Sequence, residues 1–104
     1  MQEPTDFQKR VYLLLKKIPK GRITTYKIIG DMLGIKAYQA VGLACKMNPF
    51  APEVPCHRVV KSDGSLGGYS ASGGIKRKIA LLADEYVYIN KWKIIDFKKK
   101  LFKF

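Results

Sequence analysis

The chain has 104 residues, which is the size of one domain and too short for two domains that each bury a core. Lys and Arg number 20 against 8 Asp and Glu, so the formal net charge is +12. An excess of this size favours a polyanion as the partner, because neutralised phosphates release counterions. Nucleic acid is the leading candidate, and a membrane surface and a merely solvated basic surface are the alternatives.

The cysteine and histidine content excludes a zinc site built from these residue types. Cys45, Cys56 and His57 are the only such residues in the sequence, and a structural zinc ion needs four ligands. We therefore expect no metal and no cofactor. The N-terminus has no cationic and apolar signal segment, and no apolar run approaches the length of a membrane span. We expect a cytoplasmic protein with no membrane partner.

Two helices are predicted in the first third of the chain. Thr5 and Gln8 form a capping-box pattern, and apolar residues then recur at helical spacing, which predicts a helix over residues 6–17. Thr24 is the predicted N-cap of a second helix, which Gly34 closes.

A third helix is predicted over residues 36–47, so that the second and third helices form a helix-turn-helix. Gly42 lies in the middle of this helix, where Gly costs about 1 kcal/mol relative to Ala. Either a ligand approaches the backbone closely there, or another helix of the same protein packs against it. The predicted outer face carries Lys36, Tyr38, Gln39, Gly42 and Lys46.

The second half of the chain is predicted to be less regular. Residues 59–66 are predicted to form a small β-hairpin and the glycine-rich run at 67–74 a loop. Residues 74–84 are predicted to form a fourth helix, whose outer face carries Lys76, Arg77 and Lys78. Residues 86–97 favour extended structure because they are rich in aromatic and β-branched residues. The basic end of the chain, residues 98–104, is expected to be mobile.

Cys56 and His57 lie side by side, after Pro55 and before a glycine-rich turn. A thiol becomes a strong nucleophile only as the thiolate, and a neighbouring base or cation promotes that ionisation. The alternative is structural, because a lone Cys is most often a small buried hydrophobic residue and a lone His a hydrogen-bonded one. The short, proline-bounded segment favours a rigid loop, which supports the catalytic interpretation.

This segment resembles the signature of the O6-alkylguanine-DNA alkyltransferases, in particular of their C-terminal DNA-binding and active-site domain. The similarity covers roughly residues 6–85. We therefore treat residues 1–104 as one such domain, with residues 86–104 as a variable basic extension. The expected fold class is mainly α, a small winged-helix-like helix-turn-helix domain with a short β-hairpin. The resemblance rests on Asn48-Pro49, Val54-Pro55-Cys56-His57-Arg58-Val59-Val60, Gly64 and Gly67-Gly68-Tyr69-Ser70.

The resemblance implies a DNA repair activity. The chain would flip a damaged nucleotide out of the duplex and transfer an alkyl group from O6 of its guanine to Cys56. Because a thioether does not hydrolyse, each protein molecule would act once. The implied partner is double-stranded DNA containing O6-alkylguanine, bound by a monomer.

The resemblance also implies roles for individual residues. The catalytic set would be Cys56 as nucleophile, His57 as its base, Glu85 as the partner of His57, Tyr26 as proton donor to the leaving guanine, and Asn48 as a hinge. The flipped base would be held by Val60, Gly68, Tyr69 and Ser70. DNA would be contacted by Thr25, Tyr26, Lys36, Tyr38, Gln39, Ala40, Gly42, Lys46 and Arg58.

Gln39 is a departure from the family pattern. Many members have an Arg just before the Ala-Val-Gly of this helix, and that Arg occupies the space left by the flipped nucleotide. Gln can fill space and form hydrogen bonds, but it has no positive charge.

Two other functions are consistent with part of the sequence. An alkyltransferase-like protein uses the same fold to bind lesions without transfer, but such proteins lack the nucleophilic Cys. A small helix-turn-helix transcription factor would leave the adjacent Cys56 and His57 without explanation and would normally bind paired half-sites as a dimer.

Overall fold

The computed structural model describes residues 3–69, 71 and 73–104. This part of the chain is mainly helical, as predicted, and a 3-10 turn (Cys56–Arg58) leads into its second strand. The elements are, in order, α1 (Asp6–Leu15), β1 (Thr24–Thr25), α2 (Tyr26–Met32), α3 (Tyr38–Lys46), β2 (Val59–Val60), α4 (Gly74–Asp84), β3 (Ile89–Asn90), β4 (Lys93–Ile94) and α5 (Phe97–Lys100).

Helix α1 begins with the predicted capping box. The Thr5 hydroxyl accepts a hydrogen bond from the Gln8 backbone N–H at 3.1 Å, and the Gln8 side chain accepts one from the Thr5 N–H at 2.9 Å. The helix ends at Leu15, two residues earlier than predicted. The next residues continue as a tighter turn, because the Ile18 N–H bonds to the Leu15 carbonyl rather than to the residue four positions back.

The second helix begins one residue later than predicted. Thr25, and not Thr24, is its N-cap, since the Thr25 hydroxyl accepts a hydrogen bond from the Ile28 N–H at 3.1 Å. Thr24 lies in strand β1, which pairs in parallel with β2 so that Thr24 is opposite Val59. This long-range pairing extends the backbone before the helix, and no local sequence pattern contains it.

Helices α2 and α3 form the predicted helix-turn-helix and pack closely together. Gly30 makes that approach possible, because a Cβ at this position would lie 2.5 Å from the Tyr38 ring. Helix α3 begins at Tyr38, two residues later than predicted, after Ala37 as an N-cap without a side-chain hydrogen bond. Val41 and Ala44 turn into the core, where they meet the buried face of α1.

The predicted hairpin over residues 59–66 is wrong in its pairing. Residues 61–65 do form a turn, closed by a 2.9 Å hydrogen bond from the Lys61 N–H to the Ser65 carbonyl. However, β2 pairs with β1 in parallel, and the antiparallel hairpin is formed by β3 and β4. That hairpin lies within residues 86–97, for which extended structure was predicted.

The basic end of the chain is packed against the domain, so the expected mobile tail is wrong. Arg22 donates hydrogen bonds to the carbonyls of Lys100 and Leu101 at 3.0 and 2.7 Å. The Phe102 N–H donates to the Ile23 carbonyl at 2.6 Å, and the Phe102 and Phe104 rings pack on the core cluster of α1 and α3. Apolar side chains between the lysines hold the segment in place.

No helix in the described residues is both long and apolar enough to cross a membrane.

Candidate active site

Cys56 lies at the wall of a cavity of about 380 Å³ between the helix-turn-helix and the glycine-rich loop. Its side chain is only 6% exposed. Pro55 precedes the 3-10 turn that begins with Cys56, and β2 follows it directly. The cavity is lined by Tyr26, Gly42, Cys45, Lys46, Cys56, Lys61, Gly67, Gly68 and Tyr69.

The Cys56 thiol keeps its proton at neutral pH. Burial raises the pKa of Cys56 above its ordinary value of 9.0, and a hydrogen bond with Asn48 and the positive charge of Lys78 only partly oppose this. The sequence suggested that a basic neighbour would favour the resting thiolate. In the folded protein the resting thiol is protonated, so a reaction in which it acts as a nucleophile would require a base within reach.

Asn48 links the end of α3 to the segment that carries Cys56. Its side-chain nitrogen donates to the Val54 carbonyl at 2.8 Å, and its side-chain oxygen accepts from the Phe50 N–H at 2.9 Å. Both functions of the amide are therefore used within the proline-rich link. Asn48 therefore connects α3 to the Cys56 segment, the position predicted for the hinge.

His57, Glu85 and Arg58 form a largely buried hydrogen-bonded chain that begins next to Cys56. His57 is 2% exposed, and its Nε2 donates to Glu85 at 3.0 Å. The same carboxylate accepts two hydrogen bonds from Arg58, at 2.8 and 2.7 Å. Burial alone would raise the pKa of Glu85, but the hydrogen bonds from Arg58 and His57 outweigh it and the pKa is lowered. Glu85 is therefore ionised at neutral pH.

The carboxylate of Glu85 fixes the tautomer of His57. With the proton on Nε2, the opposite nitrogen Nδ1 is the basic one. Burial lowers the pKa of His57 below 6.5, although the contacts with Glu85 partly oppose this, so the ring is neutral at pH 7. Nδ1 is buried and has no hydrogen-bond partner among the described residues. His57 is thus a neutral imidazole with an unused acceptor.

Arg58 and Thr25, for which DNA contacts were predicted, are both turned inward in the folded protein. Each guanidinium nitrogen of Arg58 is engaged, since the third donates to the Ile18 carbonyl at 2.8 Å. Its side chain is also largely buried. Thr25 is buried as well and uses its hydroxyl to cap α2. Arg58 thus stabilises the site through its contacts with Glu85 and Ile18, and Thr25 does so by capping α2.

Tyr26 closes one side of the cavity against Gly67. A Cβ at Gly67 would lie 3.1 Å from the Tyr26 hydroxyl oxygen, and Gly67 has a φ of +70°. The positive φ favours glycine there, and an added Cβ would also crowd the Tyr26 ring. Burial raises the pKa of Tyr26, so the phenol remains protonated through neutral pH and can donate a hydrogen bond or proton into the cavity.

The predicted orientation of Lys78 is wrong. This residue was predicted to point outward, yet it is completely buried. Its ammonium donates to the carbonyls of Val59, Leu66 and Gly68 at 2.8, 2.6 and 3.2 Å. Burial lowers the pKa of Lys78 to about 8. A signal was present, because position 78 lies on the same helical stripe as the apolar residues 75, 79 and 82.

Helix α3 presents an open surface beside the cavity. Within the described residues, no heavy atom lies within 4 Å of a Cβ added at Gly42, so the alternative that another helix of the protein packs there is wrong. Lys36, Gln39 and Lys46 are exposed, and Ala40 is half-buried. Tyr38 is half-buried too, and its hydroxyl donates to Asp31 at 2.8 Å.

The predicted substrate-binding residues are only partly brought together. Gly68 and Tyr69 line the cavity, and the Val60 side chain is buried in the second core cluster, which leaves only the backbone of Val60 to contact a base. Ser70 lies outside the described residues. Cys45 was not predicted but lines the same cavity, and burial raises its pKa to about 12, so it is a far weaker acid than an ordinary thiol.

Comparison with known protein families identifies one match. The family model described as "6-O-methylguanine DNA methyltransferase, DNA binding domain" matches residues 6–87. A methylated-DNA--protein-cysteine methyltransferase of Methanosarcina barkeri is 48% identical over 83 residues, 79% of this chain and 52% of the relative. The protein of the same name in Mycobacterium tuberculosis is 52% identical over 79 residues, 75% of this chain and 47% of the relative. The chain thus spans about half the length of these curated relatives.

Two solved structures share the fold. A crystal structure of Mycobacterium tuberculosis OGT in complex with DNA has a TM-score of 0.76 at 49% identity, over 81% of this chain and 51% of that one. S. pombe Atl1, solved with damaged DNA containing O6-carboxymethylguanine, has a TM-score of 0.80 at 27% identity, over 98% and 99% of the two chains. With the family model matching most of its length, this chain belongs to the family of the 6-O-methylguanine DNA methyltransferase DNA-binding domain.

Proposed function

We propose that this protein repairs double-stranded DNA by transferring an alkyl group from O6 of guanine to Cys56, once per molecule. The observation that carries this proposal is a buried thiol on the wall of a base-sized cavity, next to a neutral histidine held by an ionised carboxylate. The proposed partner is a duplex containing O6-alkylguanine, bound by a monomer. Residues 1–104 are proposed to act as one domain.

The first chemical step removes the proton from the Cys56 thiol. His57 accepts it at Nδ1, through a water molecule, and Glu85 stabilises the imidazolium that forms. The sulfur then attacks the alkyl carbon in line with the bond to O6, so that a C–S bond forms as the C–O bond breaks. The role of Arg58 is to keep Glu85 ionised and in place.

The leaving guanine needs the proton that the thiol has lost. Tyr26 is proposed to donate a proton to the guanine ring from the opposite side of the cavity. The imidazolium of His57 then returns its proton, through solvent, to the Tyr26 phenolate. Over the whole reaction the thiol therefore gives up one proton and guanine gains one, so no external acid or base is consumed. The Cys56 and Val60 carbonyls and the Ser70 N–H are proposed to contact the edge of the flipped base.

Mass spectrometry tests this proposal directly. We expect that incubation with a duplex containing O6-methylguanine adds one methyl group to Cys56 and none to Cys45, because burial raises the pKa of Cys45 to about 12. A Cys56→Ser variant serves as the control and should remain unmodified. Methylation at another residue, or repair of more than one lesion per protein molecule, would contradict the mechanism.

The likeness to Atl1 favours a second candidate, a protein that binds the lesion without transfer. Atl1 was solved with damaged DNA containing O6-carboxymethylguanine, and its TM-score of 0.80 compares with 0.76 for OGT. The same mass measurement separates the two candidates. Tight binding to the O6-methylguanine duplex with no gain in mass would favour lesion binding.

Gly42→Ala provides a prediction about the DNA-facing surface of α3. The substitution should stabilise the folded protein by up to about 1 kcal/mol, because Ala is the better helix former and nothing obstructs its methyl group. It should weaken duplex binding at least tenfold, about 1.4 kcal/mol, because the added methyl group keeps the backbone away from the DNA.

The neighbouring residue supplies a control for this prediction. Leu43 is exposed and is not part of the cavity lining, so Leu43→Ala should leave duplex affinity unchanged. Urea denaturation measures the stability and fluorescence anisotropy the affinity. Unchanged affinity in Gly42→Ala would show that DNA does not approach α3 at this point.

A further inference from the structure

The tip of the β3–β4 hairpin presents a tryptophan between two lysines. Asn90 pairs with Lys93, which leaves Lys91 and Trp92 as the two residues of the connecting turn. Trp92 is 63% exposed, and both lysines are exposed too. The hairpin lies beyond residues 6–87, so the family match assigns it no role.

The backbone of this turn is unfavourable for the residues that occupy it. Lys91 has a φ of +51° and Trp92 a φ of +67°, as in a type I′ turn. Asn-Gly is strongly preferred at these two positions, because a side chain disfavours left-handed backbone by about 1–2 kcal/mol per residue. The turn therefore presents two large side chains that hairpin formation alone does not require.

The hairpin is attached to the segment that leads into the cavity wall. The Leu66 N–H donates to the Trp92 carbonyl at 3.1 Å, and the Ile94 N–H donates to the Gly64 carbonyl at 2.9 Å. Leu66 is followed directly by Gly67 and Gly68, which line the cavity. DNA that places a base in the cavity would therefore pass close to the tip of the hairpin.

We propose that this hairpin is a second nucleic-acid contact, outside the helix-turn-helix. Lys91 and Lys93 bind phosphates of the strand that flanks the cavity, and the Trp92 indole packs on a base or sugar of the same strand. Exposed aromatic rings between cations suit DNA whose bases are partly unstacked, because stacking and phosphate contacts are both independent of sequence. Nucleotide flipping under the proposed function would produce such DNA.

A Trp92→Gly variant separates the contribution of the indole to DNA binding from the effect of the turn on stability. Glycine accepts a φ of +67° without strain, so the stability of the variant should be equal to or higher than that of the wild type. Its affinity for a duplex containing one O6-methylguanine should fall about tenfold, the effect of losing one stacked ring. Urea denaturation and fluorescence anisotropy measure the two quantities.

Tyr86→Gly is the matched control. Tyr86 is also aromatic, 74% exposed and at a positive φ of 64°, but it lies just after α4 and away from the hairpin tip. The substitution should relieve a similar strain and leave DNA affinity unchanged. The comparison therefore removes general effects of losing an exposed aromatic ring.

The lysines are tested through the salt dependence of binding. In the double variant Lys91→Gln/Lys93→Gln, the slope of log affinity against log salt concentration should become shallower by about 1.8, since each phosphate contact contributes about 0.9. Both residues are exposed, so folding should be unaffected. An unchanged slope would overturn the phosphate contacts.

Three results would overturn the inference as a whole. In the first, Trp92→Gly binds the O6-methylguanine duplex as tightly as Tyr86→Gly does. In the second, Trp92→Gly is less stable than the wild type, which would mean that the indole is packed against the protein. In the third, Trp92→Gly binds the duplex normally but loses affinity for a protein partner. Because these experiments measure binding, they decide the inference even if Cys56 is never alkylated. Failure of the proposed function is seen separately, in the mass of the wild-type protein.

Discussion

Replacing Lys78 by Met is expected to lower the free energy of unfolding by roughly 2–4 kcal/mol. Met fills nearly the same volume but cannot donate hydrogen bonds, so the buried carbonyls of Val59 and Leu66 and the partly exposed carbonyl of Gly68 lose this partner. These carbonyls belong to β2 and to the segment next to the cavity wall, so the loss should also loosen the wall that carries Gly68. Urea denaturation measures the change.

Lys76→Met is the matched control on the same helix. Lys76 is exposed, so its replacement should change the stability by less than about 0.5 kcal/mol. Equal losses in the two variants would show that the Lys78 hydrogen bonds contribute little to stability.

The buried amine also predicts a pH dependence. The pKa of Lys78 is about 8 in the folded protein and 10.5 in its ordinary state. Between these values the unfolded chain binds more protons than the folded one, so stability rises with pH. Wild-type stability relative to Lys78→Met should therefore increase from about pH 8 towards 10.5. A constant difference across this range would contradict the assignment.

The other large effect is expected at Glu85. In Glu85→Gln, the rate of alkyl transfer at pH 7 should fall roughly 10- to 100-fold, the usual cost of losing a group that orients a reactive histidine. The amide cannot stabilise the imidazolium formed when His57 takes the thiol proton, and it leaves Arg58 without a counter-charge. Single-turnover measurements on an O6-methylguanine duplex determine the rate.

The pH profile distinguishes this role from a structural one. In the wild type, the rate should remain level down to pH values below 6.5 and fall only when His57 becomes protonated. Glu85 raises the pKa of His57, so its removal should move this acid limb to lower pH. The lost rate should recover as pH approaches the pKa of Cys56, which burial places above 9.0.

Asp84→Asn is the control for this substitution. Asp84 is the adjacent carboxylate and is exposed, so the variant should keep both the wild-type rate and the wild-type profile. Circular dichroism establishes that both variants are folded at the temperature of the assay. A Glu85→Gln profile with the wild-type shape would remove His57 and Glu85 from the proposed proton transfer.

Local features of the fold could be predicted from the sequence because their interactions span only a few residues. The capping box of Thr5 and Gln8 joins residues three positions apart, and the structure confirms it. The bounds of α4 agree with the prediction, since apolar spacing and the glycine before it define that helix. The predicted helix boundary is wrong at Thr24, because this residue pairs with the distant strand β2 and does not cap the helix.

The candidate site shows the same division. The sequence by itself determined the chemical groups, because Cys56, His57 and Arg58 adjoin one another in a short motif. It also determined the family, and the resemblance to that family predicts which distant residues belong to the site. Their protonation states were decided by tertiary structure, since burial raises the pKa of Cys56 and lowers that of His57.

Only the tertiary structure decided which charged residues face solvent. Arg58 and Lys78 belong to a strongly basic chain and were assigned to its outer surface, yet both are turned inward by acceptors far along the sequence. The Ile18 carbonyl is 40 residues from Arg58, and the Val59 carbonyl is 19 from Lys78. The composition gives the number of charged residues. It does not predict which backbone carbonyl groups are buried without a donor, because that depends on the fold.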